Sequence, residues 1–179
     1  MKKRRILPLA VGLLLSAPLL LGADVKTLKL RELGPVAVGK KAPPVASWGL
    51  DDNVVTLAGL LKQDSTRAVV LAFYATWCTE CPRGLKALES GRDRLSEAGI
   101  RVLLVNHGEG KEAVSRFHSE KRLTLPVVLD EFKEISRAYG VVEKLPRAFL
   151  IVRDGTVRAI YLFEGDDFVE QVCKDAANR

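Results

Sequence analysis

In the stretch "AFYATWCTECPRG", residues 72–84, Cys78 and Cys81 stand with two residues between them. That spacing suits a redox couple, half of a zinc site or a pair of inert core thiols. An apolar run precedes the pair and a helical pattern follows it, which puts the cysteines at a strand-to-helix junction. A helix start presents unpaired N–H groups and the positive end of the macrodipole, and both stabilise a thiolate. The thiolate is the attacking species in disulfide exchange. Two intervening residues bring the second sulfur back within one helical turn, close enough to close a small ring. Cys78, at the lip, is assigned as attacker, and Cys81, in the first turn, as resolver.

The zinc reading needs two more ligands. No second such cysteine pair occurs, and the two histidines, His107 and His118, are separated by a predicted helix. They are expected in a loop and at the surface, and no metal or other cofactor is expected. Inert thiols would not account for Trp77 directly before the pair, the apolar strand upstream and an export signal at the start of the chain. The third cysteine, Cys173, falls beside Val169 and Val172 in the last predicted helix and reads as a half-buried core thiol. Three cysteines are too few to staple a chain of 179 residues.

The elements that must position the pair follow from periodicity. "RAVVLAFYA", residues 67–75, is too short for a helix of its own and reads as a strand buried on both faces. From Cys78 to Ala98 a single helix is predicted, with Leu85, Leu88, Leu95 and Ala98 recurring at helical offsets and Gly99 ending it. "IRVLLVN" is a second buried strand, and "HGEG" a loop. Residues 111–121 form a polar helix with Val114 and Phe117 inward, "LPVVLD" holds a short strand, and "EFKEISRAYG" is a helix closed by Gly140. "RAFLIV" and "TVRAIYLF" flank Asp154-Gly155, a hairpin turn, before a last helix over residues 166–177. Upstream, "VASW" and "NVVTL" form a small hairpin in which Trp48 is expected to pack, and Thr56 caps a short helix. Strands alternating with helices predict an α/β sandwich with a partly parallel sheet.

The net charge of +6 arises mostly from Lys2, Lys3, Arg4 and Arg5, and the remainder is close to balanced. No electrostatic footprint for nucleic acid remains. The basic head precedes an uncharged apolar stretch over residues 6–23, which reads as an export signal. Cleavage after Ala23 and retention as a membrane anchor are both open, because the run is nearly the ~20 residues that span a bilayer. The chain divides into a signal peptide or signal anchor over 1–23, a linker over 24–37 and one domain over 38–179. Export permits disulfide chemistry. The domain is expected in the periplasm or on the outer face of the cytoplasmic membrane.

"VVLAFYATWCTEC" resembles the active-site segment of thioredoxin-fold proteins, and specifically of the exported TlpA/ResA-like thiol–disulfide oxidoreductases. "VGKKAPP" resembles the opening of that family's domain, and "LPVVLDEFKEISRAYGVVEKLPRAFLIVRDGTV" its second half. The resemblance implies a thioredoxin-like fold: a central mixed sheet flanked by helices, with an N-terminal β-hairpin and a central helix–strand insertion. It also implies a cis proline facing the cysteines, at Pro146. Two positions depart from the family pattern. Glu80 stands where proline usually precedes the second cysteine, with Pro82 following the pair, and Arg147 stands where Thr commonly follows the cis proline. Glu80 is expected to make the site more reducing. Arg147 either favours the Cys78 thiolate or is simply solvated.

The function these features imply is an exported thiol–disulfide oxidoreductase that reduces selected protein disulfides. Cytochrome c maturation is one family role, since haem attachment requires reduced thiols. Implied partners are protein disulfide substrates and a thiol electron donor, a membrane thiol–disulfide transporter being one candidate, and the protein is expected to be a monomer. One rival is a peroxiredoxin-like peroxidase, but Ala75 occupies the position where a peroxidatic site wants Thr. The other is a non-enzymatic copper carrier, whose known examples space their cysteines by three residues.

Overall fold

The computed structural model describes residues 36–178, except 143, 164 and 166. The export signal and most of the linker lie outside the described residues. Among those described, no helix is long and apolar enough to cross a membrane.

The elements follow in the order β1 (Ala46–Trp48), β2 (Val54–Thr56), α1 (Leu57–Lys62), β3 (Ala68–Tyr74), α2 (Cys81–Ser90), α3 (Arg92–Glu97), β4 (Ile100–His107), α4 (Lys111–Lys121), β5 (Val127–Asp130), α5 (Glu134–Ala138), β6 (Arg147–Val152), β7 (Val157–Tyr161) and α6 (Phe168–Ala177). A five-stranded sheet runs β5-β4-β3-β6-β7, and β1 and β2 form a separate hairpin. β3, β4 and β5 are parallel, β6 runs antiparallel to β3, and β7 antiparallel to β6. This is the thioredoxin-like mixed sheet expected from the sequence, with the α4–β5 unit placing its strand on one edge.

β3 is central because every one of its seven residues is buried. Its side chains alternate between two cores. Val70, Ala72 and Tyr74 face one side with both cysteines, Leu85, Leu88, Phe117 and Val172. Val69, Leu71 and Phe73 face the other with Leu57, Tyr139 and Phe149. Apolar residues on both faces require helices on both faces, and the sequence supplies them at the expected places. Thr56 caps α1 by accepting a hydrogen bond from Gly59 N–H at 2.9 Å. Gly155, at φ +84°, closes the β6–β7 turn.

The long helix expected from Cys78 to Ala98 is two helices. It starts at Cys81 and breaks at Gly91. A Cβ at Gly91 would lie 2.7 Å from a methyl of Val169, so the glycine is where α6 presses against the break. Gly84 meets a tighter constraint: a Cβ there would lie 1.9 Å from the Phe163 carbonyl oxygen. Trp48 also departs from expectation. The residue is 59% exposed, because the two-residue-period hairpin turns it outward while Ser47 bonds to the Leu129 carbonyl at 2.6 Å.

Gly84→Ala should destabilise the protein by about 1–3 kcal/mol or more, because a backbone atom rather than a flexible side chain occupies the space. Urea unfolding measures it. An unchanged midpoint would mean that α2 separates from Phe163 without cost.

Candidate active site

β3 ends at Tyr74 and the chain leaves the sheet through residues 75–80 before α2 begins at Cys81. Cys78 and Cys81 are joined in a disulfide with their Cα atoms 5.4 Å apart. Cys81 is completely buried, while Cys78 keeps 7% of its surface, less than a lip residue was expected to show. Cys81 N–H, an unpaired donor of the first helical turn, points at Cys78 Sγ at 3.2 Å. Glu80 is the N-cap residue, exposed and without a side-chain cap bond. Pro82 sits second in the helix, where its missing N–H costs nothing. Trp77 is 63% exposed, with its ring edge toward His107 at a centroid distance of 6.3 Å.

The peptide bond before Pro146 is cis. β6 begins at Arg147 opposite Phe73, so Pro146 stands at the same end of the sheet as the cysteine segment. Ala148 shares the cysteine face and Phe149 the opposite face. Alternation therefore starts the Arg147 side chain on the face away from the cysteines. Cys173 is half-buried against the core of the cysteine face.

Several polar residues behind the pair were not singled out by sequence reasoning. Tyr74 hydroxyl and His118 Nε2 share a buried hydrogen bond of 2.6 Å. Asn106, paired in register with Tyr74, donates from Nδ2 to Glu109 Oε2 at 2.8 Å. Glu109 accepts from both the backbone N–H and the hydroxyl of Thr76. Both histidines are buried, His107 at 2% and His118 at 6% exposure, rather than in a loop and at the surface. For His118 a signal existed: Val114, Phe117 and His118 fall on one helical stripe. His107 continues the buried β4 run by one residue. Nothing in the spacing marks Glu109, whose role comes from the turn that carries it back beside Thr76.

Burial raises the Tyr74 hydroxyl pKa above its ordinary value. Burial also lowers both histidines, with Lys133 adding to the effect at His107. These rings are therefore neutral at pH 7.

A buried strand end, a disulfide closed across a helix start and an opposing cis proline define a thioredoxin-fold thiol–disulfide oxidoreductase. The AhpC/TSA family profile matches residues 38–160. The chain is 31% identical over 160 residues to "Thiol-disulfide oxidoreductase ResA" of Geobacillus kaustophilus, covering 89% of each chain. It is 29% identical to the protein of the same name from Bacillus subtilis, covering 88% of this chain and 85% of that one. Among solved structures it is similar to a putative thiol:disulfide interchange protein DsbE from Chlorobium tepidum. There the TM-score is 0.69 at 26% identity, over 79% of this chain and 98% of the other. The chain belongs to the AhpC/TSA family.

The neutral histidines make stability depend on pH in one direction. An unfolded histidine titrates near ~6.5. Below that value the unfolded chain takes up protons that the folded core resists, so stability is fully present above it and falls as pH drops through it. Melting temperature between pH 7.5 and 5.5 should decline, and His118→Gln should reduce that decline. An unaltered slope would show that His118 is protonated in the fold without penalty.

Proposed function

We infer that this chain is an exported reductant of selected protein disulfides, with Cys78 as nucleophile and Cys81 as resolver. The observation that carries the reading is Cys78 Sγ placed at the start of α2 and facing the Cys81 N–H. In the reduced protein that donor and the helix dipole favour the Cys78 thiolate over the thiol. The thiolate attacks one sulfur of a substrate disulfide, a mixed disulfide forms, and the other substrate sulfur leaves as a thiolate. Cys81, deprotonated in turn, attacks Cys78 Sγ and releases the second substrate thiol. Two electrons and two protons pass from the Cys78/Cys81 dithiol to the substrate, and a thiol donor must restore them.

The exposed Trp77 and the backbone beside cis Pro146 form the surface that receives the substrate segment. Proline lacks an N–H, which leaves that edge open to an extended chain. Arg147 meets the substrate there rather than the cysteines, in keeping with the face on which its side chain starts. Apocytochrome c, whose paired cysteines must be reduced before haem attachment, is the substrate class assigned to this reading. Residues 1–23 carry the domain, residues 38–179, across the cytoplasmic membrane after the linker over 24–37. A membrane thiol–disulfide transporter is the fitting donor, and a monomer suffices for the reaction.

Cys78→Ser should abolish insulin-disulfide reduction, and Cys173→Ser should leave it nearly intact. Cys81→Ser should accumulate mixed disulfides that mass spectrometry can identify, including apocytochrome c. Equal loss in the Cys78 and Cys173 variants would sink the assignment. An alkaline phosphatase fusion at the C-terminus should be active in a bacterial host, whereas a stable but inactive cytoplasmic fusion would exclude export.

Glu80 tunes the couple. Only the reduced protein carries a thiolate, and a neighbouring carboxylate opposes it, favouring the disulfide and lowering the reduction potential. Glu80 is exposed, so water screens the effect. Glu80→Gln should raise the potential by at most about 30 mV in a glutathione titration. An unchanged or lower potential would remove Glu80 from this role.

A further inference from the structure

Residues 75–80 carry the nucleophile, yet their own bonding holds them loosely. Cys78 N–H donates to the Ala75 carbonyl at 3.2 Å, and Cys81 N–H faces Cys78 Sγ. Both bonds stay within the segment and the helix start. Thr76 differs. Its backbone N–H donates to Glu109 Oε2 at 2.7 Å, and its hydroxyl donates to Glu109 Oε1. Among the described residues, no other side chain from elsewhere in the chain hydrogen-bonds to this segment.

Glu109 is itself held from the sheet. Asn106 Nδ2 donates to it at 2.8 Å, and Asn106 is fully buried near the end of β4. In the ladder Asn106 stands opposite Tyr74, which His118 holds from α4. One end of the brace is thus anchored in the rigid centre of the molecule, and the other grips the residue two positions before Cys78.

We propose that Glu109 is a positioning residue for thiol–disulfide exchange, setting the direction in which Cys78 is presented to an incoming disulfide. The proposal rests on the reading of Cys78 as nucleophile. In the oxidised protein the disulfide itself ties the segment to α2. Reduction breaks that bond as the two sulfurs gain two electrons and two protons, and the Thr76–Glu109 pair remains as the tie from outside. Attack on a disulfide requires alignment along the bond that breaks, and a misplacement of about 1 Å can cost on the order of 100-fold in rate. A carboxylate suits the task because each oxygen accepts one Thr76 donor. Glutamine offers one acceptor oxygen and turns an amide toward the other donor.

The test uses the reduced full-length protein and the variants Glu109→Ala, Glu109→Gln, Thr76→Val and Thr76→Val/Glu109→Ala. Second-order rates are measured with insulin and with bis(hydroxyethyl) disulfide, and Cys78 titration is followed by thiolate absorbance. Glu109→Ala should slow both reactions about tenfold or more. Thr76→Val should slow them less. The double variant should lie within about twofold of Glu109→Ala, because the two residues act through one contact. Thr76→Val changes no charge, so a rise in the Cys78 pKa would report weakened donation from Cys81 N–H. Should Glu109→Ala fail to fold, Glu109→Gln and Thr76→Val carry the same test. Lower melting temperatures with unchanged rates and Cys78 pKa would overturn the proposal and leave Glu109 a purely structural tie. Rate effects that multiply in the double variant would also overturn it. A wild-type protein that reduces neither reagent would refute the nucleophile assignment itself, and the positioning role with it.

Discussion

Burial of β3 on both faces determines where the reactive sulfurs can be. A strand with seven buried residues needs a helical layer on each side, and its end must release the chain into one of them. Only residues 75–80 separate Tyr74, the last residue of the strand, from Cys81, where α2 begins, and the helix start faces that strand end. The unpaired Cys81 N–H there meets the sulfur of Cys78. The environment of Cys78 therefore derives from packing: shift the strand and the helix dipole no longer addresses its sulfur. The close approaches at Gly84 and Gly91 serve the same end, since they let Phe163 and Val169 press α2 onto the sheet.

The layers and the cysteine pair were legible because they follow from short-range periodicity. β3 is a continuous apolar run and β4 carries the apolar run over residues 102–105, the Asp154-Gly155 turn announces its hairpin, and Thr56 caps the helix it precedes. The division of the first long helix was hidden. Leu85, Leu88 and Leu95 keep helical spacing across Gly91, and only the long-range approach of Val169 shows why the helix breaks there. The burial of His118 was only partly legible. Helical spacing placed it beside Val114 and Phe117, but histidine is polar by type and its burial depends on a partner, Tyr74, that lies 44 positions away. The outward turn of Trp48 likewise depends on which face of the hairpin β5 covers.

Buried polar groups are costly unless bonded, so the row Thr76, Glu109, Asn106, Tyr74 and His118 calls for a physical account. Most of its members are satisfied by one another. Asn106 Oδ1 has no partner among the described residues, and an unmet buried acceptor of that kind costs about 1–3 kcal/mol. An apolar residue at 106 would avoid that cost and would pack well beside Tyr74. It would also leave Glu109 without its donor from the sheet. The arrangement trades core stability for a fixed carboxylate position.

That trade has a redox asymmetry built into it. With the disulfide closed, residues 78–81 form a small covalent ring that ties Cys78 to α2, and the Glu109 contacts at Thr76 add less further order. With the disulfide open, the conformational entropy of the segment rises, and each retained hydrogen bond restricts states that the covalent link no longer excludes. The polar row thus contributes more to order in the reduced form, the form to which the proposed attack by Cys78 belongs. An apolar contact of equal strength could hold the segment, but it is non-directional and would permit sliding. Two charge-assisted bonds donated by one threonine to one carboxylate fix both distance and orientation, and orientation is what attack on a sulfur–sulfur bond demands.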